Sequence, residues 1–200
     1  MKSIYAVAYA IICYVTAYYK TYYPNEFICA MLTSLYINGT GEKEKFIDKV
    51  DTIINEANNM GIKFLPLDVN KSKWKFTVEE EGIRLGFCAL TGFSKVAYEE
   101  LMLCVPFNND STYIEQIYEK TAKKNLGKLA ILSLIFNELL GERITTYEKY
   151  CELRKEEPIY GDIYICNGFK PNLYATHEEL EFGFFKGNFI YIIKLLILNR

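Results

Sequence analysis

The patterning of this chain predicts a mainly α-helical protein with one small antiparallel strand pair. Three observations carry that expectation. Small and apolar residues recur at helical spacing over the first sixty positions, and again between Ser94 and Pro158. Pro24, Gly61, Gly141 and Pro158 stand at the ends of those runs, where helices stop or start. Strict alternation of apolar and polar residues is confined to the stretch around residues 73–87.

In chain order, Ala6, Ala10, Cys13 and Ala17 share one face of a first helix, and Tyr5, Tyr9, Ile12, Thr16, Tyr19 and Tyr23 share another. A narrow face of small residues lets a second helix approach closely, so residues 5–34 are expected to form a helical hairpin. Pro24 opens its second arm because a missing N–H costs nothing in a first turn. Glu26 follows in that turn, where its charge suits the helix dipole. After a loop at residues 38–41, Phe46, Ile47, Val50, Ile53, Ile54, Ala57 and Met60 define an amphipathic helix. Gly61 is placed to cap it in a left-handed conformation. Ile62 to Leu65 is a short apolar run closed by Pro66.

Trp74, Phe76 and Val78 alternate with Lys73, Lys75 and Thr77, and Ile83, Leu85 and Phe87 alternate in turn, which reads as a hairpin. Trp74, Phe76 and Val78 are expected to be its buried face, and Glu79 to Glu81 its solvated tip. Further on, Leu129, Leu132, Ile135, Phe136, Leu139 and Leu140 form the strongest apolar stripe, ended by Gly141. Lys120, Lys123, Lys124 and Lys128 cluster just before it. Pro158 and Gly161 mark a boundary. Tyr160 to Cys166 reads as a strand, Asn167 to Asn172 as a loop, and Thr176 with Glu179 as a capping box with His177 in the first turn.

The bulk numbers narrow the function classes. Half of the 200 residues are hydrophobic and the net charge is −2, so any nucleic-acid contact has to come from a local patch. The six cysteines include no C-x-x-C pair and there is one histidine, which argues against a zinc site and for reduced thiols in a cytoplasmic protein. The uncharged run at 5–19 is shorter than the roughly 20 residues a membrane span needs. The run FIYIIKLLIL is shorter still and interrupted by Lys194. No P-loop, G-x-S-x-G or dinucleotide fingerprint is present. Of the five aspartates, Asp48 and Asp51 share a helix face, but among lysines. No catalytic residue, metal or cofactor is expected.

Several blocks in one order carry a resemblance. Ala8-Tyr9, Tyr14, Ala17-Tyr18, Lys20, Tyr23-Pro24 and Glu26-Phe27 come first. Met60-Gly61-Ile62, Leu65-Pro66, Asp68-Val69-Asn70, Ser72, Phe76 and Ile83-Arg84-Leu85-Gly86 follow. Together they resemble the C-terminal fingers region of the bacterial DNA polymerase III alpha subunit, a C-family replicative polymerase, over residues 5–86. Leu90 to Lys95 sits where that family has a helix-hairpin-helix turn, with Ser94 in place of the second glycine and its hydroxyl expected to cap the helix. Residues 125–141 resemble the family's second such segment, and 179–187 the stretch before its oligonucleotide-binding domain.

The resemblance implies a helical fingers-like region at 1–66, a strand-hairpin connector at 67–90, a degenerate tandem helix-hairpin-helix region at 91–157 and a tail at 158–200. It covers neither the family's palm, with its metal-binding aspartates, nor its oligonucleotide-binding domain. The family's glutamine-led clamp peptide has no counterpart, since the sole glutamine is Gln116. The expectation that follows is a non-catalytic, replication-associated module that binds primer-template DNA or completes a split polymerase whose palm is on another chain. Gly92, Phe93, Ser94, Lys95, Lys123, Lys124 and Lys128 are the residues expected at DNA. The alternative is a protein-interaction module or decoy, of phage or mobile-element type, that binds a replisome or other protein partner without DNA affinity.

Overall fold

The computed structural model describes residues 2–39, 43–108, 110–121 and 126–165. Lys123, Lys124, Cys166, the capping box at Thr176 and His177 lie outside them. Eight helices and a three-stranded sheet make up the described residues, a mainly helical fold as expected: α1 (Lys2–Tyr22), α2 (Pro24–Asn38), α3 (Lys43–Asn59), β1 (Phe64–Leu65), β2 (Thr77–Glu79), β3 (Gly82–Arg84), α4 (Lys95–Leu101), α5 (Tyr113–Lys120), α6 (Lys128–Phe136), α7 (Arg143–Arg154) and α8 (Gly161–Ile165).

Pro24 occupies the first turn of α2, and Tyr23 is the residue that separates α1 from α2. The close-packed hairpin expected of these helices is not what the described residues form. Ala6, Ala10, Cys13 and Ala17 are all exposed. The reason lies in α2, which spends its buried residues Ile28, Cys29 and Leu32 on the core formed with α3 and the sheet. The last turn of α1 is tied to that body by an ion pair between Lys20 and Glu56. Along α3, Val50, Ile53, Ile54 and Ala57 point inward as their spacing predicts, and Gly61 follows at φ +75°.

The expected strand pair is present, with Thr77, Val78 and Glu79 opposite Arg84, Ile83 and Gly82. A third strand, β1, joins the other edge of β3 in parallel. Trp74 is only half-buried and Val78 is exposed, against the expectation of one common buried face. The segment lies between two cores: Phe76 packs with α2 and α3, whereas Trp74 packs against the helices that follow. Nor is Glu79 a solvated tip residue. Its carboxylate accepts from Arg84 Nε at 2.5 Å and Nη2 at 2.8 Å, while Arg84 Nη1 donates to the Pro66 carbonyl at 2.9 Å. Arg84 is buried, so this bidentate pairing satisfies a guanidinium that would otherwise be costly to desolvate.

The second core gathers Phe87, Phe93, Leu101, Ile114, Ile117, Ile135, Tyr147 and Tyr150. Its centre is α6, buried at every position from Ala130 to Phe136. Leu129, counted in the apolar stripe, is exposed. α6 ends at Phe136, not at Gly141. The Leu139 amide donates to the Leu134 carbonyl and the Glu138 amide to that of Ile135, with Glu138 at φ +56°. That is the Schellman pattern, here with glutamate at the left-handed position. The segment at Tyr160–Ile165 is helical in α8, not a strand. A run this short cannot be assigned by periodicity alone, and Ile163 is fully buried in the core that α6 centres. Among the described residues no helix is long and apolar enough to cross a membrane.

Two outcomes follow from this packing. A Cβ on Gly86 would lie 2.4 Å from the Lys75 carbonyl carbon and 2.6 Å from the Phe76 nitrogen, both backbone atoms. Gly86→Ala should therefore destabilise the protein by at least about 1–3 kcal/mol, the usual cost of forced overpacking; denaturant unfolding measures it. The second concerns acid. Hydrogen bonds from Arg84 hold the Glu79 carboxyl below its ordinary range. A depressed carboxyl contributes stability above its unfolded pKa of about 4.3, lost as pH falls through the lower folded value. Glu79→Gln should flatten the fall in melting temperature below about pH 4, as read by melts over pH 2–6.

Candidate nucleic-acid interface

The first hairpin is built around Phe87. A short 3₁₀ turn, Phe87–Ala89, leads into an exposed turn at Thr91–Gly92 and then into α4. Gly92 has φ +76°, a backbone conformation that side chains disfavour. Phe93 turns inward and its ring meets Phe87 at 5.5 Å, while Tyr98 of α4 meets Phe87 at 5.3 Å. The turn is thereby pinned from beneath while Gly92, Ser94 and Lys95 remain exposed.

Ser94 caps α4, its Oγ accepting from the Ala97 amide at 3.2 Å. Its own backbone is extended, at φ −92° and ψ 163°, so no glycine is needed there on conformational grounds. The first N–H groups of a helix have no intrahelical acceptor, and the Ser94 hydroxyl takes that of Ala97 alone. Lys95 stands at the start of the helix, 3.8 Å from Glu99 one turn on.

Lys128, the one described residue of the three later lysines expected at DNA, is the first residue of α6. Its Nζ lies 2.5 Å from Asp162 Oδ2 of α8. Among the described residues, then, the hairpin positions 92–95 come together, and Lys128 is engaged by an acid 34 positions away in sequence.

Two positioning residues carry no sequence signal of their own. Ser133, fully buried in α6, donates from Oγ to the Thr91 carbonyl at 2.8 Å and so joins α6 to the first hairpin. Gln116, also buried, accepts from the Asn108 amide and donates to the Asn108 and Ser111 carbonyls, holding the loop before α5. A lone serine in an apolar stripe and a lone glutamine acquire these roles only through tertiary contacts.

Cysteine chemistry finds no support in the described residues. Burial pushes up the thiols of Cys29, Cys104 and Cys151, and that of Cys88 to about 11, the opposite of an activated nucleophile. No three of the described His, Cys, Asp and Glu side chains are grouped as metal ligands.

Residues 61–142, which run from the sheet to the end of the α6–α7 turn, match the family described as the helix-hairpin-helix motif. The match overlaps the 91–157 region where the resemblance placed the motif and also takes in the strand segment before it. It is similar, more particularly, to DNA polymerase III alpha subunits. The subunit of Chlamydia pneumoniae is 32% identical over 130 residues, covering 65% of this chain and 10% of that protein. That of Campylobacter jejuni is 29% identical over 198 residues, covering 88% of this chain and 16% of that protein. That of Bacillus subtilis is 30% identical over 143 residues, covering 70% and 12%. The chain thus corresponds to one part of the alpha subunit and spans 10–16% of the length of these relatives.

The cap gives a separable check on the hairpin. Ser94→Ala should lower stability by about 1 kcal/mol, the usual worth of an N-cap hydroxyl, whereas Ser94→Asp should retain it. Paired chemical-denaturation curves distinguish the two.

Proposed function

We propose that this chain is a non-catalytic, replication-associated module of the cytoplasm that binds the phosphate backbone of primer-template DNA. The observation that carries this reading is the pinned hairpin turn. Gly92 lets the backbone reach a neighbouring group closely, Phe93 fixes the turn to the core, and α4 begins there with the exposed Lys95. Backbone amides at a helix start suit a phosphate oxygen, and glycine removes the side chain that would hold it away. Such contacts read no base sequence. The motif match over 61–142 and the similarity to DNA polymerase III alpha subunits support the same reading. In it, Lys123, Lys124 and Lys128 add charge from the second segment, Lys128 after release from Asp162.

A second reading is favoured by α1. From Ile4 to Tyr22 it exposes eleven large hydrophobic side chains with no charge between Lys2 and Lys20, more apolar surface than a monomer ordinarily leaves in water. That suits a protein-interaction module whose α1 is covered by a replisome protein, among them a palm-bearing polymerase chain. Primer extension by such a chain that appears only on adding this protein would support the split-polymerase form.

The DNA reading is tested by fluorescence anisotropy on a labelled primer-template over a salt series. The parent should bind unrelated sequences about equally and lose affinity steeply with salt. Lys95→Gln should reduce the slope of log K against log salt by about one unit. Absence of binding at low salt would leave the α1 reading in its place.

A further inference from the structure

We infer a second phosphate-contacting surface, formed by Lys71, Lys73 and Lys75 on the segment that flanks the first hairpin. The inference rests on the DNA-binding reading and extends it to residues outside the hairpins.

The three lysines alternate with Ser72, Trp74 and Phe76. Ser72 and Phe76 are buried, Trp74 is half-buried, and the lysines are all exposed, so the charges share the solvent side of one segment. That segment is held at several points. At its start, the Asp68 carboxylate accepts from the Asn70 and Lys71 amides, and Ser72 Oγ accepts from the Asp68 amide. Asn70 Oδ1 accepts from the Phe107 amide at 2.8 Å. Further along, the Lys73 and Trp74 carbonyls accept from the Phe87 and Cys88 amides. The close approach of Gly86 to Lys75 fixes the far end. The lysine segment therefore runs directly beside the turn that feeds Gly92, and Trp74 packs on Tyr98 of α4 at 5.8 Å.

The electrostatics separate these lysines from four others. Lys20, Lys95, Lys128 and Lys149 each lie within 4 Å of a carboxylate. No ion pair among the described residues holds Lys71, Lys73 or Lys75. Of the nearby acids, Glu79 is hydrogen-bonded to Arg84 and feels Lys71 only as a weaker charge, and Asp68 is bonded to the turn amides. Glu26 borders the same groove as Lys75 without forming an ion pair with it among the described residues. Three closely spaced cations outside any ion pair among the described residues, on a backbone fixed by hydrogen bonds, make a surface for a polyanion. The neighbouring hairpin selects the phosphodiester backbone as that polyanion. Burial of these lysines against phosphate releases condensed counterions, which is where the affinity arises in an acidic protein.

Trp74, the only tryptophan, lies between Lys73 and Lys75 and reports on the segment directly. The experiment titrates the full chain with unlabelled primer-template duplex, following Trp74 emission beside the anisotropy of a labelled duplex. Lys71→Gln/Lys73→Gln/Lys75→Gln is compared with the parent over 20–300 mM salt. The triple variant should melt as the parent does and bind at least tenfold more weakly at 0.1 M salt, with a salt slope shallower by roughly 2–3. Each single variant should flatten the slope by roughly one. In the parent, Trp74 emission should change in step with anisotropy. A parent that binds DNA while the triple variant keeps its affinity and slope, and Trp74 stays silent, overturns the lysine surface and leaves the hairpin reading standing. A parent that does not bind at 20 mM salt overturns both.

Discussion

The arrangement of this protein depends on the burial of one ring, that of Phe87. Leu85 and Ala89 belong to the first core and Phe87 between them to the second, and there the Phe87 amide is bonded to the Lys73 carbonyl while its ring receives both Phe93 and Tyr98. Remove the ring and three things lose their reference point: the Gly92 turn, the start of α4 and the lysine-bearing segment. A hairpin turn is mobile in isolation, and one anchored by a fully buried aromatic is presented in a fixed attitude. Polar positioning is layered on that anchor, with Ser133 holding Thr91 from α6 and Arg84 holding β2 to the residues after β1.

Much of the local structure was legible in the residues. The Pro24 joint, the inward face of α3, the left-handed Gly61, the strand pair and the capping role of Ser94 all follow from short-range rules of spacing and conformation. What was not legible depended on distant partners. β1 is two residues long and exists because β3 lies beside it. Glu138 is an unusual residue for a left-handed position, and nothing nearby announces that α6 stops before it. The half-burial of Trp74 arises because neighbouring residues of one segment serve different cores. Alternation shows that a face exists but not how many bodies share it.

The candidate site shows the same division. The turn at Gly92–Lys95 was legible through the resemblance, since these residues stand where the family has its helix-hairpin-helix turn. The charge state of its surroundings was not. Lysines look alike in a sequence, and whether one is available depends on acids brought near by folding. Lys128 has such an acid in α8 and Lys71, Lys73 and Lys75 have none at ion-pair distance among the described residues.

The Lys128–Asp162 bridge links two parts of the molecule that share no ligand. Asp162 sits in the first turn of α8 with its side chain mostly shielded, and Lys128 opens α6. An anion that recruits Lys128 competes with that carboxylate, so its binding free energy is reduced by whatever the bridge contributes to seating α8. The trade is reciprocal: a change that loosens α8 raises affinity for the anion by the same factor by which the anion loosens α8. If Lys128 is recruited in this way, the short helix α8 acts as a competitive brake on that contact, set by one carboxylate.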